Sequence, residues 1–241
     1  MNNNFKRIVV KIGTNALMDN NKPNKKIIKA IAEELSELKK NSSDVILVTS
    51  GAIGFGIEKT GGNFPKNVQM QQAMAAIGQS LLMHEYEKAF SKHKQTIAQI
   101  LLSRLAFTNE KSFENLKNTV EKLFEIKVIP IINENDAIYT EALSEEEVFS
   151  DNDGLAALAA IKFNADLLIL LTDVDGIFTE NPKENNCAEK IKDIEGLLSK
   201  GIIEGEKSIY GIGGVKSKIM AAKKALNHNI SVAVCRARKG A

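Results

Sequence analysis

Apolar positions along the chain alternate between short β-branched runs and longer stretches with helical spacing. The runs are residues 7–12 (R-I-V-V-K-I), 45–48 (V-I-L-V), 95–102, 128–132 (V-I-P-I-I), 167–171 (L-L-I-L-L) and 232–234, each short and apolar enough for a buried strand. Between them, residues 25–40 place Ile28, Ile31, Ala32, Leu35 and Leu38 on one face of an amphipathic helix. Residues 67–93 predict a long helix with Met70, Ala73, Met74, Ile77 and Leu81 on one stripe, which reads as core or subunit interface. Phe113, Leu116, Val120, Leu123 and Phe124 mark a further helix, residues 155–161 another, and Ile219, Ala222 and Leu226 the last. This order predicts an α/β fold whose central sheet carries helices on both faces.

The polar residues are not scattered evenly over this pattern. Strand 128–132 runs into Asn133-Glu134-Asn135-Asp136, and a second polar knot, Ser150-Asp151-Asn152-Asp153-Gly154, opens the next helix. Turn and capping chemistry favour the same residue types, but two such knots flanking one loop favour a site. In an open parallel sheet, ligands bind at the carboxyl ends of the strands. The other strand ends agree: Lys11 with Gly13-Thr14, Thr49-Ser50-Gly51, and Thr172-Asp173. A glycine cluster, 211–214, leads into Lys216, Ser217 and Lys218, with Lys218 expected in the first turn of its helix. A cation there is unfavourable for the helix dipole, so an anion should offset it. Residues 139–149, with Glu145, Glu146 and Glu147, read as an acidic lid, and Arg236, Arg238 and Lys239 as a solvated tail.

Composition narrows the classes. With 44% hydrophobic residues and a net charge of +2, the 241-residue chain is an ordinary globular one without an electrostatic case for nucleic acid or an anionic membrane. Two cysteines, no signal-peptide core and no apolar run of about 18 residues predict a cytoplasmic, non-membrane protein. No glycine precedes a lysine, which excludes a Walker A loop, and no G-x-G-x-x-G or G-x-S-x-G occurs. His84, His93 and His228 lack metal-ligand spacing. What remains is two lysines with glycine amides, suited to phosphate, beside amides and carboxylates suited to a small zwitterion. That inventory fits phosphoryl transfer, where positioning and charge neutralisation carry the catalysis.

The motifs also resemble, in chain order, the amino-acid kinase family: V-V-K-I-G-T at 9–14, T-S-G-A-I at 49–53, G-Q at 78–79, I-N-E-N-D-A at 132–137, S-D-N-D-G-L-A-A-L at 150–158, T-D-V-D-G at 172–176 and G-G-V-K-S-K at 213–218. T-D-x-x-G is general to that family, whereas N-E-N-D and D-N-D are much more specific to its glutamate branch, which the chain resembles in them. The resemblance implies a three-layer αβα sandwich with a mainly parallel sheet, formed by residues 1–241 as a single kinase domain without the C-terminal PUA domain of many members. It implies ATP over Lys11, Gly13, Thr14, Thr172, Asp173, Gly213, Gly214 and Lys218. L-glutamate would lie over Ser50, Gly51, Asn133, Asp136, Asp151 and Asn152. Lys11 and Lys218 would neutralise the transferring phosphoryl group, with Asp153 holding them, and Mg²⁺ would arrive on the nucleotide without a named protein ligand. It further implies a homo-oligomer, proline as feedback inhibitor, and coupling to glutamyl phosphate reductase. Ile212 and Ser217 depart from the family's phosphate loop, which has threonines there. Other readings are a family member acting on N-acetylglutamate, aspartate, carbamate or UMP, and a non-catalytic amino-acid sensor on the same fold.

Overall fold

A computed structural model describes residues 5–19, 22–41, 43–103, 105–138, 152–178, 189–191 and 213–238. Its centre is a sheet of β1 (Arg7–Ile12), β4 (Asp44–Val48), β5 (Ile97–Leu102), β6 (Ile129–Glu134), β7 (Leu167–Thr172) and β10 (Ser231–Arg236). They lie in the order β10-β7-β1-β4-β6-β5, and every pairing is parallel. Two small antiparallel pairs stand apart: β2 (Met18–Asp19) with β3 (Lys22–Pro23), and β8 (Ile177–Phe178) with β9 (Lys190–Ile191).

The two-residue period of β1 explains the layers. Ile8, Val10 and Ile12 enter a core built with α2 (Lys25–Lys40), α3 (Ala52–Thr60) and α4 (Val68–Phe90). Val9 points the other way, into a core shared with α6 (Glu110–Glu125), α7 (Asn152–Lys162) and α8 (Gly213–Leu226). Short helix α1 (Thr14–Leu17) follows β1, and α5 (Leu105–Thr108) precedes α6. Three layers result, as helix–sheet–helix packing requires. Among the described residues, no helix is long and apolar enough to cross a membrane. Arg7 ties the amino end of the sheet together. It donates twice to Glu121 at 2.9 Å and once to the Phe163 carbonyl, and its guanidinium lies 4.8 Å from the Phe124 ring centre.

Three expectations need correction. Of the two readings of the stripe Met70, Ala73, Met74, Ile77 and Leu81, the core one is corrected: Met70 and Ile77 are exposed, and the buried face is Ala75, Gly78, Leu82, Tyr86, Ala89 and Phe90. Glycine decides the matter. A Cβ on Gly78 would fall onto the Ala52 carbonyl, and one on Gly56 onto the Met74 carbonyl, so α3 and α4 cross too closely for larger side chains. Arg236 is not part of a solvated tail. It pairs with Thr172 in edge strand β10, and the next amide, Ala237, donates to the Thr172 carbonyl. Strand β6 also runs two residues past the expected end at Ile132, so Asn133 and Glu134 are paired strand residues opposite Leu101 and Leu102. Arg238 follows β10, whereas Lys239 lies outside the described residues, as do the 139–149 lid, Asp151 and Ile212.

Candidate active site

Burial of polar groups singles out one end of the sheet. Among the described residues the buried polar or charged side chains are Lys11, Ser36, Ser43, Thr49, Ser50, Asn133, Asp153 and Thr172. Six of the eight sit at the carboxyl ends of β1, β4, β6 and β7 or in the first turn of α7. Buried polar groups cost free energy unless paired, so their gathering at one edge requires partners.

Lys11 shares the face of Val9, which turns it toward α7 and α8. Its Nζ lies 2.6 Å from Asp153 Oδ1, and Lys218 Nζ lies 3.0 Å from Asp153 Oδ2. Ser217 Oγ donates to the same Oδ2 at 3.0 Å. Asp153 is 1% exposed, so one carboxylate buried at the head of α7 bridges two lysines from β1 and α8. Burial by itself would raise its pKa, but the Lys11 and Lys218 charges and their hydrogen bonds win and hold it below the ordinary carboxylate range. A Cβ on Gly13 would stand 3.3 Å from Lys11 Nζ, a tight contact beside the lysine. Thr14 opens α1 and is exposed. Lys218 is the sixth residue of α8, so the expectation of a first-turn lysine is corrected: its charge is offset inside the protein by Asp153. Lys216 is exposed.

A second constellation lies on the α4 side. Asn152 Nδ2 donates to Ser50 Oγ at 2.7 Å and to Asn133 Oδ1 at 3.3 Å, and Asn133 Nδ2 donates to Gln79 Oε1 at 2.8 Å. Ser50 follows β4, and Gly51 after it adopts φ 97°, a left-handed conformation that suits glycine as it caps α3. Beneath Ser50, Thr49 Oγ1 is 2.8 Å from the buried Tyr86 hydroxyl. Helix α4 therefore braces two strand ends, β4 through Tyr86 and β6 through Gln79. Asp136 begins a short 3₁₀ turn after β6. Burial, and then the neighbouring Glu134 charge, push its pKa up to about 6.

On the far side of β1, Thr172 ends β7 and its hydroxyl donates to Asp173 Oδ1 at 3.2 Å. Gly213 and Gly214 are the first residues of α8, and the amino end of a helix presents N–H groups suited to an anion. Among the described residues, no group of three or more His, Cys, Asp or Glu could hold a metal ion. Sequence reasoning left three contributors out of the site: Gln79, Tyr86 and Ser217. In the sequence Gln79 stands out only as part of the G-Q pair, and Ser217 only as a departure in the loop. A polar residue beside Gly78 on the buried face of a helix was the available signal.

A model described as the amino acid kinase family matches residues 6–236. A protein named glutamate 5-kinase from Methanosarcina barkeri (strain Fusaro / DSM 804) is 43% identical over 232 residues, covering 92% of this chain and 60% of the relative. Another of that name from Ligilactobacillus salivarius (strain UCC118) is 41% identical over 226 residues, 92% of this chain and 85% of the relative. The chain thus spans about 60% of the length of the Methanosarcina barkeri relative. A carbamate kinase from Giardia lamblia bound to AMP-PNP superposes with a TM-score of 0.64 at 15% identity, covering 96% of this chain and 93% of that one, a likeness of fold.

Proposed function

The chain belongs to the amino-acid kinase family, and we propose that it uses ATP to phosphorylate the side-chain carboxylate of L-glutamate. The observation that carries this reading is the Lys11–Asp153–Lys218 bridge standing beside the Ser50–Asn152–Asn133 amide chain. The first is a preorganised pair of cations for phosphate oxygens, and the second a polar site for a small zwitterion. Relatives named glutamate 5-kinase support glutamate over the other acceptors.

The acceptor carboxylate, with an ordinary pKa of about 4.3, is ionised at neutral pH, so its oxygen attacks the γ-phosphorus without a general base. The bond from that phosphorus to ADP breaks, and an acyl phosphate and ADP leave. Bringing two anions together is the difficulty. Lys11 and Lys218 offset the charge, and Asp153 fixes both ammonium groups before substrate arrives. Gly13, Thr14, Thr172, Asp173, Gly213 and Gly214 are assigned to the nucleotide, and Ser50, Gly51, Asp136, Asp151 and Asn152 to glutamate. Asn133, with both amide atoms engaged, orients Asn152. Mg²⁺ supplies further charge neutralisation when it enters on the nucleotide phosphates. The same proposal includes a homo-oligomer, competitive inhibition by proline and coupling to glutamyl phosphate reductase. ADP release measured with glutamate, N-acetylglutamate, aspartate, carbamate and UMP tests the assignment: glutamate is expected to dominate, and release with another acceptor alone would replace it.

Asp136 gives this reading a pH signature. Asp136→Ala is expected to raise the glutamate KM about tenfold or more by losing a charged hydrogen bond to the ammonium, with the ATP KM nearly unmoved. In the free protein Asp136 titrates at about 6. Below that pH it is neutral and cannot pair with an ammonium, so the glutamate KM should climb as pH falls through about 6. The raised pKa also makes the folded state bind this proton more readily than the unfolded chain, so this group destabilises the fold progressively as pH rises toward and past about 6. A glutamate KM independent of pH across this range, together with an unaffected Asp136→Ala, would remove Asp136 from the site.

A further inference from the structure

We propose that Gln79 is a further residue of the acceptor site, its Nε2 donating a hydrogen bond to a carboxylate oxygen of the bound amino acid. The inference rests on the glutamate reading above and extends it to a residue of α4. Gln79 follows Gly78, whose missing side chain lets α4 press against Ala52 at the start of α3, directly after Ser50-Gly51. That contact brings Gln79 to the end of β6, where its Oε1 accepts from Asn133 Nδ2. The other half of the Gln79 amide is left over. Nε2 is buried and, among the described residues, has no hydrogen-bond partner.

An amide donor buried in this state costs free energy unless something meets it. The same hydrogen-bonded chain holds a second such atom, Asn152 Oδ1, buried and likewise without a partner among the described residues. One is a donor and the other an acceptor. A carboxylate can only accept and an ammonium can only donate, so an α-amino acid carries the two groups this pair lacks. A purely apolar ligand would satisfy neither atom, and a fully deprotonated anion such as sulfate would meet the donor alone. Gln79, Asn133, Asn152 and Ser50 therefore form one row in which Asn133 is the internal link and the outer amides meet the substrate.

Two substitutions separate a substrate contact from a packing role. Gln79→Glu keeps an acceptor for Asn133 but replaces the spare donor by a carboxylate oxygen, whereas Gln79→Met keeps the length and removes both. The unsubstituted protein is assayed first, with hydroxylamine trapping the acyl phosphate formed from ATP and glutamate. No product at this stage refutes the glutamate reading itself. With product formed, both variants are expected to raise the glutamate KM about tenfold or more, Gln79→Glu the more severely, with kcat and the ATP KM within about twofold. A Gln79→Glu variant with an unchanged glutamate KM overturns the proposal, because Gln79 then serves Asn133 alone. Equal shifts in the KM of both substrates overturn it as well. Should neither variant fold, side-chain amide NMR of the unsubstituted protein decides. The Gln79 NH₂ signals must shift on adding glutamate, and unmoved signals refute the contact.

Discussion

Lys218→Ala is expected to lower kcat by roughly 10²-fold or more, the scale of losing one preorganised charge partner of a transition state, while Lys216→Ala stays within about twofold. The two lysines stand two residues apart in α8, and positions so spaced do not share a helix face. Lys218 turns inward to Asp153 at 3.0 Å, whereas Lys216 is exposed to solvent. From sequence, a lysine in the first turn should be a burden on the free protein, and its removal nearly free of cost. The ion pair reverses that expectation. Lys218→Ala takes a charged hydrogen bond from a buried carboxylate, although Lys11 continues to neutralise it, so a stability loss of roughly 1–3 kcal/mol should accompany the kinetic defect. Turnover at saturating ATP and glutamate, together with urea unfolding of both variants, measures the two effects separately. Equal kinetic losses at both positions would reduce the site to a diffuse basic patch, and a dead Lys216→Ala beside an active Lys218→Ala would exchange their roles.

Much of this geometry was legible in the chain, for identifiable reasons. Strand residues alternate strictly, so Lys11 had to share a face with Val9, and the polar residues after each apolar run had to collect at one edge of a parallel sheet. Helix α2 occupies Lys25–Lys40, the span marked by its apolar periodicity. Helix α4 was harder because it is apolar on more than one side. The methionine stripe and the Ala75–Gly78–Leu82–Tyr86 stripe both have helical spacing, and only the tight crossing with α3 selects the second. The braces that α4 gives the site, Gln79 to Asn133 and Tyr86 to Thr49, span 54 and 37 residues of sequence. Local patterns carry no information about such pairings. Arg236 looked like tail chemistry because charge near a terminus commonly is, yet an edge strand accepts a charge at its end. Asp153 was visible as a helix-opening acid, but its two lysines come from strands and helices that only the assembled sheet brings together.

Asp153→Asn should produce the largest change in stability. The carboxylate is 1% exposed and faces Lys11 and Lys218, whose side chains are 6% and 15% exposed. An asparagine retains the size and one acceptor oxygen but removes the carboxylate charge that the two ammonium groups share. Breaking a buried pair in this way typically costs roughly 3–5 kcal/mol, and kcat should fall with it because the lysines lose their fixed positions. The pH dependence carries a sign. Opposite charges hold the Asp153 pKa below its ordinary value, so the stabilisation is present above the ordinary carboxylate range and disappears as pH falls through the depressed pKa. Asp153→Asn should remove that part of the acid-side loss. An added polyanion gives a further signature. ATP brings phosphate oxygens to the two lysines that have lost the Asp153 charge, so it should raise the melting temperature of Asp153→Asn by more than that of the unsubstituted protein. A variant within about 1 kcal/mol of the original stability, with an ordinary ATP-induced shift, would mean that Asp153 does not hold the lysines.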